Sequence, residues 1–514
     1  MNKISKRFRN LCNSTYGQLS IIILIAFLLR IYRLGYRDLW YDEIITLAKI
    51  PHLNFLRVWN PPLYFALLAG WVKIFGFSEI SLRFPSLIFS LACIPIIFLL
   101  GKEIFNKSAA LYASLVIALS PFQLWYAQEA RAYSSMLFLG LLSSYFQVLF
   151  INRRQHKYLF GYAVSAILGL YTHPYYVLFF IAQLICFFIY CARNWSKKIL
   201  VTILLIALSF IPLIQKYSIR LAQVIRGYWI PSPDWNSLLI TMENLLLGYN
   251  NRVSAYLISD ILTLILVISA IWFVKQRRAS KRGFIFCLIL FVVPIMLAFL
   301  FSKLFVPIYF DRGLIVCSPY YYLILGLGIS AFRKKVAKSS AIISIFLLLV
   351  IGVSGFVKDW LPSDFFHHVG VPPKKPIKPI VEFINKSSGP DDIIAFTHDS
   401  VMLPFIWYDR GKDVFYASRH GRDIIQFLDR YRFLYWPGSV TPSYKRPRKE
   451  SKFNLVFYKI KELEFGKLWV LACDWSRDGN LDENSLLIRE WLNKNFNLEL
   501  EKEFDGVWVY KYAK

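Results

Sequence analysis

Four short stretches combine carboxylates or arginines with aromatic and proline neighbours in an otherwise apolar chain. The first reads Arg37-Asp38-Leu39-Trp40-Tyr41-Asp42-Glu43. Two adjacent carboxylates among aromatics suit a general base, because limited solvation raises the proton affinity of a carboxylate. A solvated loop with Asp42 as a helix N-cap is the competing reading of the same residues. The second stretch, Gln123-Leu124-Trp125-Tyr126-Ala127-Gln128-Glu129-Ala130-Arg131-Ala132-Tyr133, sets Glu129 and Arg131 between two apolar segments. Charge is expensive there unless it is functional or held in an ion pair. Arg83, in Ser81-Leu82-Arg83-Phe84-Pro85-Ser86, and Arg312, in Pro307-Ile308-Tyr309-Phe310-Asp311-Arg312-Gly313, each open an apolar segment. A guanidinium keeps its charge and binds two oxygens at once, which suits a lipid phosphate. Snorkelling to a membrane interface would explain the same placement.

The elements that must position these residues are membrane helices. The 514 residues are 56% hydrophobic and 18% charged, with a mean hydropathy of +0.45, whereas a soluble domain carries about 25% charge. A helix crosses a hydrocarbon core of about 30 Å with about 20 mostly apolar residues. Segments of that kind recur near 19–34, 83–100, 108–126, 132–151, 158–172, 175–192, 197–214, 253–274, 283–301, 313–332 and 339–357. The first follows a basic segment and lacks a small-residue cleavage site, so it reads as a retained span. The run from Pro61 to Phe77 is shorter and opens on Pro61-Pro62.

The net charge of +28 tests this arrangement. With the N-terminus in the cytoplasm and the 61–77 run left out of the count, every second loop is basic, as the positive-inside rule requires. Those loops hold Lys102 and Lys107; Arg153, Arg154 and Lys157; Arg193, Lys197 and Lys198; Lys275, Arg277, Arg278, Lys281 and Arg282; and Arg333, Lys334, Lys335 and Lys338. Counting 61–77 as a full span would break the pattern, so it reads as a juxtamembrane or re-entrant helix. The basic excess is then topological and implies no nucleic-acid partner. The same count puts Asp42, Arg83, Glu129, Arg131 and Arg312 at exterior ends of spans.

After Phe356 the character of the chain changes. The expected organisation is a mainly α, polytopic membrane domain of about eleven spans over 1–360, a Pro- and Lys-rich linker over 361–379, and an exterior α/β domain over 380–514. Strands are expected at Asp392–Thr397, Leu468–Cys473, Leu498–Phe504 and Val507–Tyr512, with helices near Ile377–Lys386, Arg422–Tyr431 and Glu483–Asn493. The seven cysteines are scattered and show no CxxC, so neither a disulfide framework nor a zinc site is indicated. His367-His368 in the linker lacks ligand partners at metal spacing. His173, before Pro174 at an exterior turn, is a weaker site candidate. Trp40, Tyr41, Trp125 and Tyr126 could stack on a sugar, guide an apolar chain, or belong to the interfacial aromatic belt.

Taken in order, Tyr41-Asp42-Glu43, Asn60-Pro61-Pro62-Leu63-Tyr64, Ser78-Glu79-Ile80-Ser81-Leu82-Arg83-Phe84-Pro85-Ser86, Ser120-Pro121 and Tyr126-Ala127-Gln128-Glu129-Ala130-Arg131-Ala132-Tyr133 resemble the motifs of GT-C glycosyltransferases. The similarity is to the protein O-mannosyltransferase-like group, which includes enzymes like the lipid A aminoarabinose transferases. It covers about the first 150 residues, and Asp311-Arg312 resembles the arginine this group carries before its penultimate spans. The family often has His where this chain has Asn60.

The resemblance implies a GT-C fold and an inverting transfer of a sugar from a polyprenyl-phosphate carrier to a lipid, glycan or protein acceptor on the exterior side, within a bed of membrane lipids. Asp42 would accept the proton of the attacking hydroxyl, with Glu43 as a helper. Glu129 would orient the acceptor or hold a divalent ion; no other cofactor is implied, and the metal requirement stays open. Arg131, Arg312 and Arg83 would balance charge on the leaving phosphate, supported by Tyr41, Asn60, Gln128, Tyr133 and Asp311. Two other classes compete. A lipid or saccharide transporter or flippase would place its ionisable groups near mid-span and show paired broken helices. A non-catalytic envelope assembly protein would leave the carboxylate and arginine motifs without a use.

Overall fold

The computed structural model describes residues 14–47, 50, 61–192, 196–225, 230–250, 252–277, 279–358, 374–418, 433–435, 460–461, 464–473 and 483–514. His367-His368, Asn60 and the expected 422–431 helix lie outside them. The chain forms two compact units. The larger comprises Met1–Leu34, Leu53–Arg226 and Ile230–Gly370; the smaller comprises Gly35–His52, Gly227–Trp229 and Val371–Lys514.

Each expected span of the larger unit coincides with helix. Among the described residues, seven helices are long and apolar enough to cross a membrane, including Glu79–Ile104, Tyr133–Arg153, Val253–Gln276 and Lys335–Val357. An eighth span results if Lys107–Leu119 and Pro121–Ala127, bent by 57° at their junction, are taken together. Thr15–Ile31, His156–Leu170 and Tyr176–Cys191 are shorter apolar helices. Leu63–Phe75 has 13 residues, about 20 Å at 1.5 Å per residue. It is too short to span, as the loop charges require. It ends at Gly76, whose φ of 77° lies in the left-handed region open to glycine.

The basic loops meet at one end of the bundle. Arg153 pairs with Glu103 at 3.0 Å, Arg154 reaches the carbonyl of Tyr190, and Tyr190 donates to the carbonyl of Arg282. Arg333 donates to Gln276 at 2.8 Å. Arg83, Glu129, Arg131 and Arg312 occupy helix ends of the opposite sense.

A break in one span shapes that opposite end. Pro121 has no N–H, so the carbonyl of Ile117 loses its helical donor at the Ser120–Pro121 junction. The guanidinium of Arg30, wholly buried near the end of the first helix, supplies the replacement. Its Nη2 donates to the Ile117 carbonyl at 3.1 Å and its Nη1 to that of Ala118 at 2.8 Å, while Nε donates to Ser90 Oγ at 2.9 Å. In return Gln128, just past the break, donates its amide to the carbonyls of Arg30 and Tyr32 at 3.0 and 2.7 Å. Each helix end caps the other.

In the smaller unit, strands β1 (Ile393–Phe396), β2 (Phe433–Tyr435), β3 (Leu468–Cys473), β4 (Asn497–Glu503) and β5 (Val507–Ala513) form one sheet in the order β2-β1-β3-β5-β4. β1 runs parallel to β2 and β3, whereas β5 is antiparallel to β3 and β4. β4 and β5 close on Asp505-Gly506, whose φ values of 45° and 76° give the two-residue turn that Asp-Gly favours. Every residue of β3 is buried. Its inward side chains Leu468, Val470 and Ala472 pack with Ile488 and Leu492 of the Glu483–Asn495 helix and with Tyr510 and Tyr512 of β5. The four expected strands stand within a residue or two of their expected bounds; β2 and the Asp399–Ser418 helix are additions.

Within the larger unit the Ser318–Ala331 helix is buried along almost its whole length. Its Gly328 lets the Val253–Gln276 helix approach so closely that a Cβ there would lie 2.1 Å from the carbonyl oxygen of Leu266. Gly328→Ala is therefore expected to destabilise the folded protein by about 1–3 kcal/mol, read as a lower Tm in detergent. Gly70→Ala, where a Cβ meets nothing within 4 Å, is expected to leave Tm unchanged or slightly raised.

Candidate active site

In the smaller unit, Asp42 lies in a seven-residue helix, Tyr41–Leu47. Its N-cap is Trp40: the Ile44 N–H donates to the Trp40 carbonyl at 3.0 Å, and Glu43 Oε2 accepts from the Trp40 N–H at 3.3 Å. Glu43, fully buried, thus reaches back from the third helical position as one half of a capping box. The reading of Asp42 as N-cap is corrected, because the capping work falls to Glu43 and leaves Asp42 in the first turn. Asp42 accepts the Thr46 hydroxyl at 2.9 Å through its backbone carbonyl, not through its carboxylate. Tyr41 stands beside it, half-buried.

In the larger unit, the turn after the Pro121–Ala127 helix holds Glu129 with 1% of its surface exposed. One carboxylate oxygen accepts the Trp125 indole N–H at 2.8 Å, a pair four residues apart across the helix end. The backbone tightens there: the Arg131 N–H donates to the Glu129 carbonyl at 2.8 Å, and Ser86 Oγ donates to that of Arg131 at 3.2 Å. The guanidinium of Arg131 then lies 5.9 Å from the Tyr133 ring centre. Arg312, arriving from the 3-10 helix Asp311–Cys317, lies 5.8 Å from the same ring and 5.2 Å from that of Phe310. Two permanent cations thus lie within 6 Å of the centre of one aromatic ring.

Asp311 is clamped beside them. Its two oxygens accept from Thr241 Oγ1 and Asn244 Nδ2, both at 2.6 Å, and it lines a cavity of about 20 Å³ with Ser237, Ile240 and Tyr309. Tyr249 and Tyr126 share a hydrogen bond of 2.6 Å. Burial, then the Asp311 charge, pushes the Tyr249 hydroxyl well above its ordinary range, so it stays protonated. His173 lies 5.3 Å from Tyr133, ring to ring. Burial, then the charges of Arg131 and Arg312, pushes its imidazole down to about 3, and its Nδ1 accepts from the Tyr175 N–H at 3.4 Å. It is a neutral wall of the arginine site.

Arg83 is buried and donates to the Leu34 carbonyl at 2.9 Å, and Gln128 serves the helix caps described above. Glu129, Arg131, Tyr133, Asp311 and Arg312 gather at one end of the larger unit, whereas Tyr41, Asp42 and Glu43 belong to the smaller. Sequence reasoning missed Arg30, Thr241, Asn244 and Tyr249. A lone arginine inside the first apolar run was a signal for Arg30; the Thr241–Asn244 spacing, three residues on one helix face, was the signal for the clamp. Among the described residues no three His, Cys, Asp or Glu side chains form a group that could hold a metal ion. The described cysteines are free and buried.

The fold matches those of known structures along nearly the whole length of the chain. The structure of ArnT from Cupriavidus metallidurans in the apo state superposes with a TM-score of 0.59 over 96% of this chain and 98% of that one, at 11% identity. The chain has the GT-C glycosyltransferase fold. The same ArnT bound to undecaprenyl phosphate gives 0.59 at 10% identity, over 97% of this chain and 98% of that one. The Archaeoglobus fulgidus oligosaccharyltransferase AglB, in complex with an inhibitory peptide and a dolichol-phosphate, gives 0.54 at 12% identity over 97% of this chain and 74% of that one. The family model described as dolichyl-phosphate-mannose-protein mannosyltransferase matches residues 60–215, the stretch of the GT-C fold that carries Arg83, Glu129 and Arg131. No curated protein sequence matches the chain.

The His173 environment sets a pH dependence. A half-buried histidine held far below its unfolded pKa of about 6.5 contributes full stability above that value, and loses it as pH falls toward 3 because the unfolded chain takes up the proton. His173→Gln is expected to flatten the fall of stability between pH 7.5 and 5.5 by about 1 kcal/mol, measured by thermal unfolding at the two pH values.

Proposed function

We propose that this membrane protein is an inverting glycosyltransferase that moves a sugar from a polyprenyl-phosphate carrier to an acceptor hydroxyl on the face opposite its basic loops, the exterior by the positive-inside rule. The observation that carries the reading is the pair of guanidiniums around Tyr133, set in a GT-C fold at the end of the bundle away from those loops. The lipids bound by the ArnT and AglB structures, undecaprenyl phosphate and dolichol-phosphate, support the same class of carrier. A carrier of this kind holds its reactive bond at headgroup level, so the groups that act on it belong at helix ends rather than mid-span.

In this mechanism Asp42 takes the proton of the acceptor hydroxyl as its oxygen attacks the anomeric carbon. The bond from that carbon to the phosphate oxygen breaks, the configuration inverts, and the electron pair leaves with polyprenyl phosphate. Arg131 and Arg312 receive the charge that develops on the phosphate; preorganised cations do this better than water, which must reorient. Glu129, its carboxylate oriented by Trp125, aligns the acceptor, and Asp311 keeps the Arg312 segment in place. Arg83 supports the same end through the Leu34 carbonyl.

The test is release of undecaprenyl phosphate from a panel of undecaprenyl-phosphate monosaccharides, with membrane lipid extract as acceptor source. Asp42→Asn is expected to lower turnover by about 10²–10⁴-fold with folding intact; wild-type turnover would remove Asp42 from the reaction. Arg312→Ala is expected to weaken product inhibition by added undecaprenyl phosphate by about 10-fold or more. Unchanged inhibition would return Arg312 to interfacial snorkelling.

A further inference from the structure

The seven-residue helix that carries Asp42 is too short to hold itself in place, since isolated helices below about 12 residues are marginal in water. Its position is set by what grips the residues leading into it, and within the smaller unit those grips come from the C-terminal part of the chain. The Leu39 N–H, one residue before the Trp40 cap, donates to the Tyr408 hydroxyl at 2.7 Å. The Asp38 carboxylate Oδ2 accepts from the N–H groups of Ile377 and Lys378 at 2.7 and 2.9 Å. These are the first donors of the Ile377–Ser387 helix, whose own N-cap position is Pro376 and has no side-chain hydrogen bond to offer. Asp38 therefore caps a helix 339 residues away in sequence, at the terminus where the helix dipole favours a carboxylate.

One cation ties the two grips together. Lys378 Nζ lies 3.8 Å from Asp38 Oδ1 and 5.0 Å from the centre of the Tyr408 ring. The Tyr41–Leu47 helix itself packs on the Asp399–Ser418 helix that carries Tyr408, and Asn385 joins that helix to Ile377–Ser387 through Asp409 at 2.8 Å.

From this clasp we infer that the C-terminal domain is a working part of the transfer reaction, with Asp38 and Tyr408 as positioning residues that hold the backbone leading into Asp42. The inference rests on the reading of Asp42 as the base. Misplacing a reacting group by about 1 Å costs on the order of 10²-fold, so loosening the clasp lowers turnover while the arginine site for the carrier is untouched.

The experiment is a mutant cycle on the full-length protein in lipid nanodiscs, with the undecaprenyl-phosphate monosaccharide panel as donor. Tyr408→Phe and Asp38→Ala are each expected to lower kcat about 10-fold or more with KM for the donor unchanged, and Asp38→Asn, which keeps an acceptor oxygen, is expected to recover part of the loss. Tyr408→Phe added to Asp42→Asn is expected to cost nothing further, because its effect passes through Asp42. Residues 39–47 are expected to exchange amide hydrogens faster in Tyr408→Phe while β3 and β5 exchange as before; this readout needs no substrate. Wild-type kcat in Tyr408→Phe and Asp38→Ala, a loss that multiplies with that of Asp42→Asn, or unchanged exchange at 39–47 would each overturn the positioning role. An Asp42→Asn protein with wild-type turnover overturns the base assignment and this inference together. An inactive Asp42→Asn beside an unaffected Tyr408→Phe overturns this inference alone.

Discussion

The geometry of the larger unit depends on how one broken helix is made tolerable inside a membrane. In hydrocarbon every backbone polar group needs an internal partner, and each orphan costs several kcal/mol. The break at Ser120–Pro121 creates such orphans in the carbonyls of Ile117 and Ala118, and Arg30 answers them with a charged fork. Burying a guanidinium is itself costly; satisfying three carbonyls and Ser90 offsets that cost. Because the break is stabilised, the chain turns early enough for Trp125 to meet Glu129 and for Arg131 to reach Tyr133. The arginine site is thus downstream of a backbone problem and its solution.

The charges of the molecule divide into two populations with different physics. Most of the described loop lysines and arginines at one end are exposed, setting orientation by their sum. At the other end each charge is placed by named contacts: Glu129 by an indole, Asp311 by Thr241 and Asn244, Arg312 by two rings. Arg30 belongs to neither population, since its guanidinium is given over to three backbone carbonyls and Ser90. A site that must recognise a phosphate at a lipid–water boundary needs the second kind of charge, because an exposed cation there would be screened and mobile.

Hydropathy and loop charge made the membrane helices legible, since both follow directly from the cost of burying charge in lipid. The short 61–77 run was resolved by charge alone, and the structure gives it 13 helical residues. Strands β3 to β5 were legible from different signals: a continuous apolar run for β3, apolar–polar alternation for β4, and aromatic and β-branched residues for β5. Much of the site was not. Arg30, Thr241, Asn244 and Tyr249 act mainly through partners 60 to 123 residues away, a relation that no local pattern encodes. Asp42 illustrates the same limit: its neighbour Glu43, expected as a helper, is a buried capping group, and that capping depends on which way a seven-residue helix enters.

The Leu39 N–H and the Tyr408 hydroxyl that receives it are separated by 369 residues. At a synthesis rate of about 5–20 residues per second, the loop bearing Asp42 emerges roughly 20–70 seconds before the hydroxyl that secures it. During that interval the growing chain already carries its carboxylate and its arginines in the membrane, yet lacks the final fastening between Leu39 and Tyr408. Under the role proposed for Asp42, chain completion acts as a timer: a truncated or stalled product carries the carboxylate and the arginines without the Leu39–Tyr408 fastening.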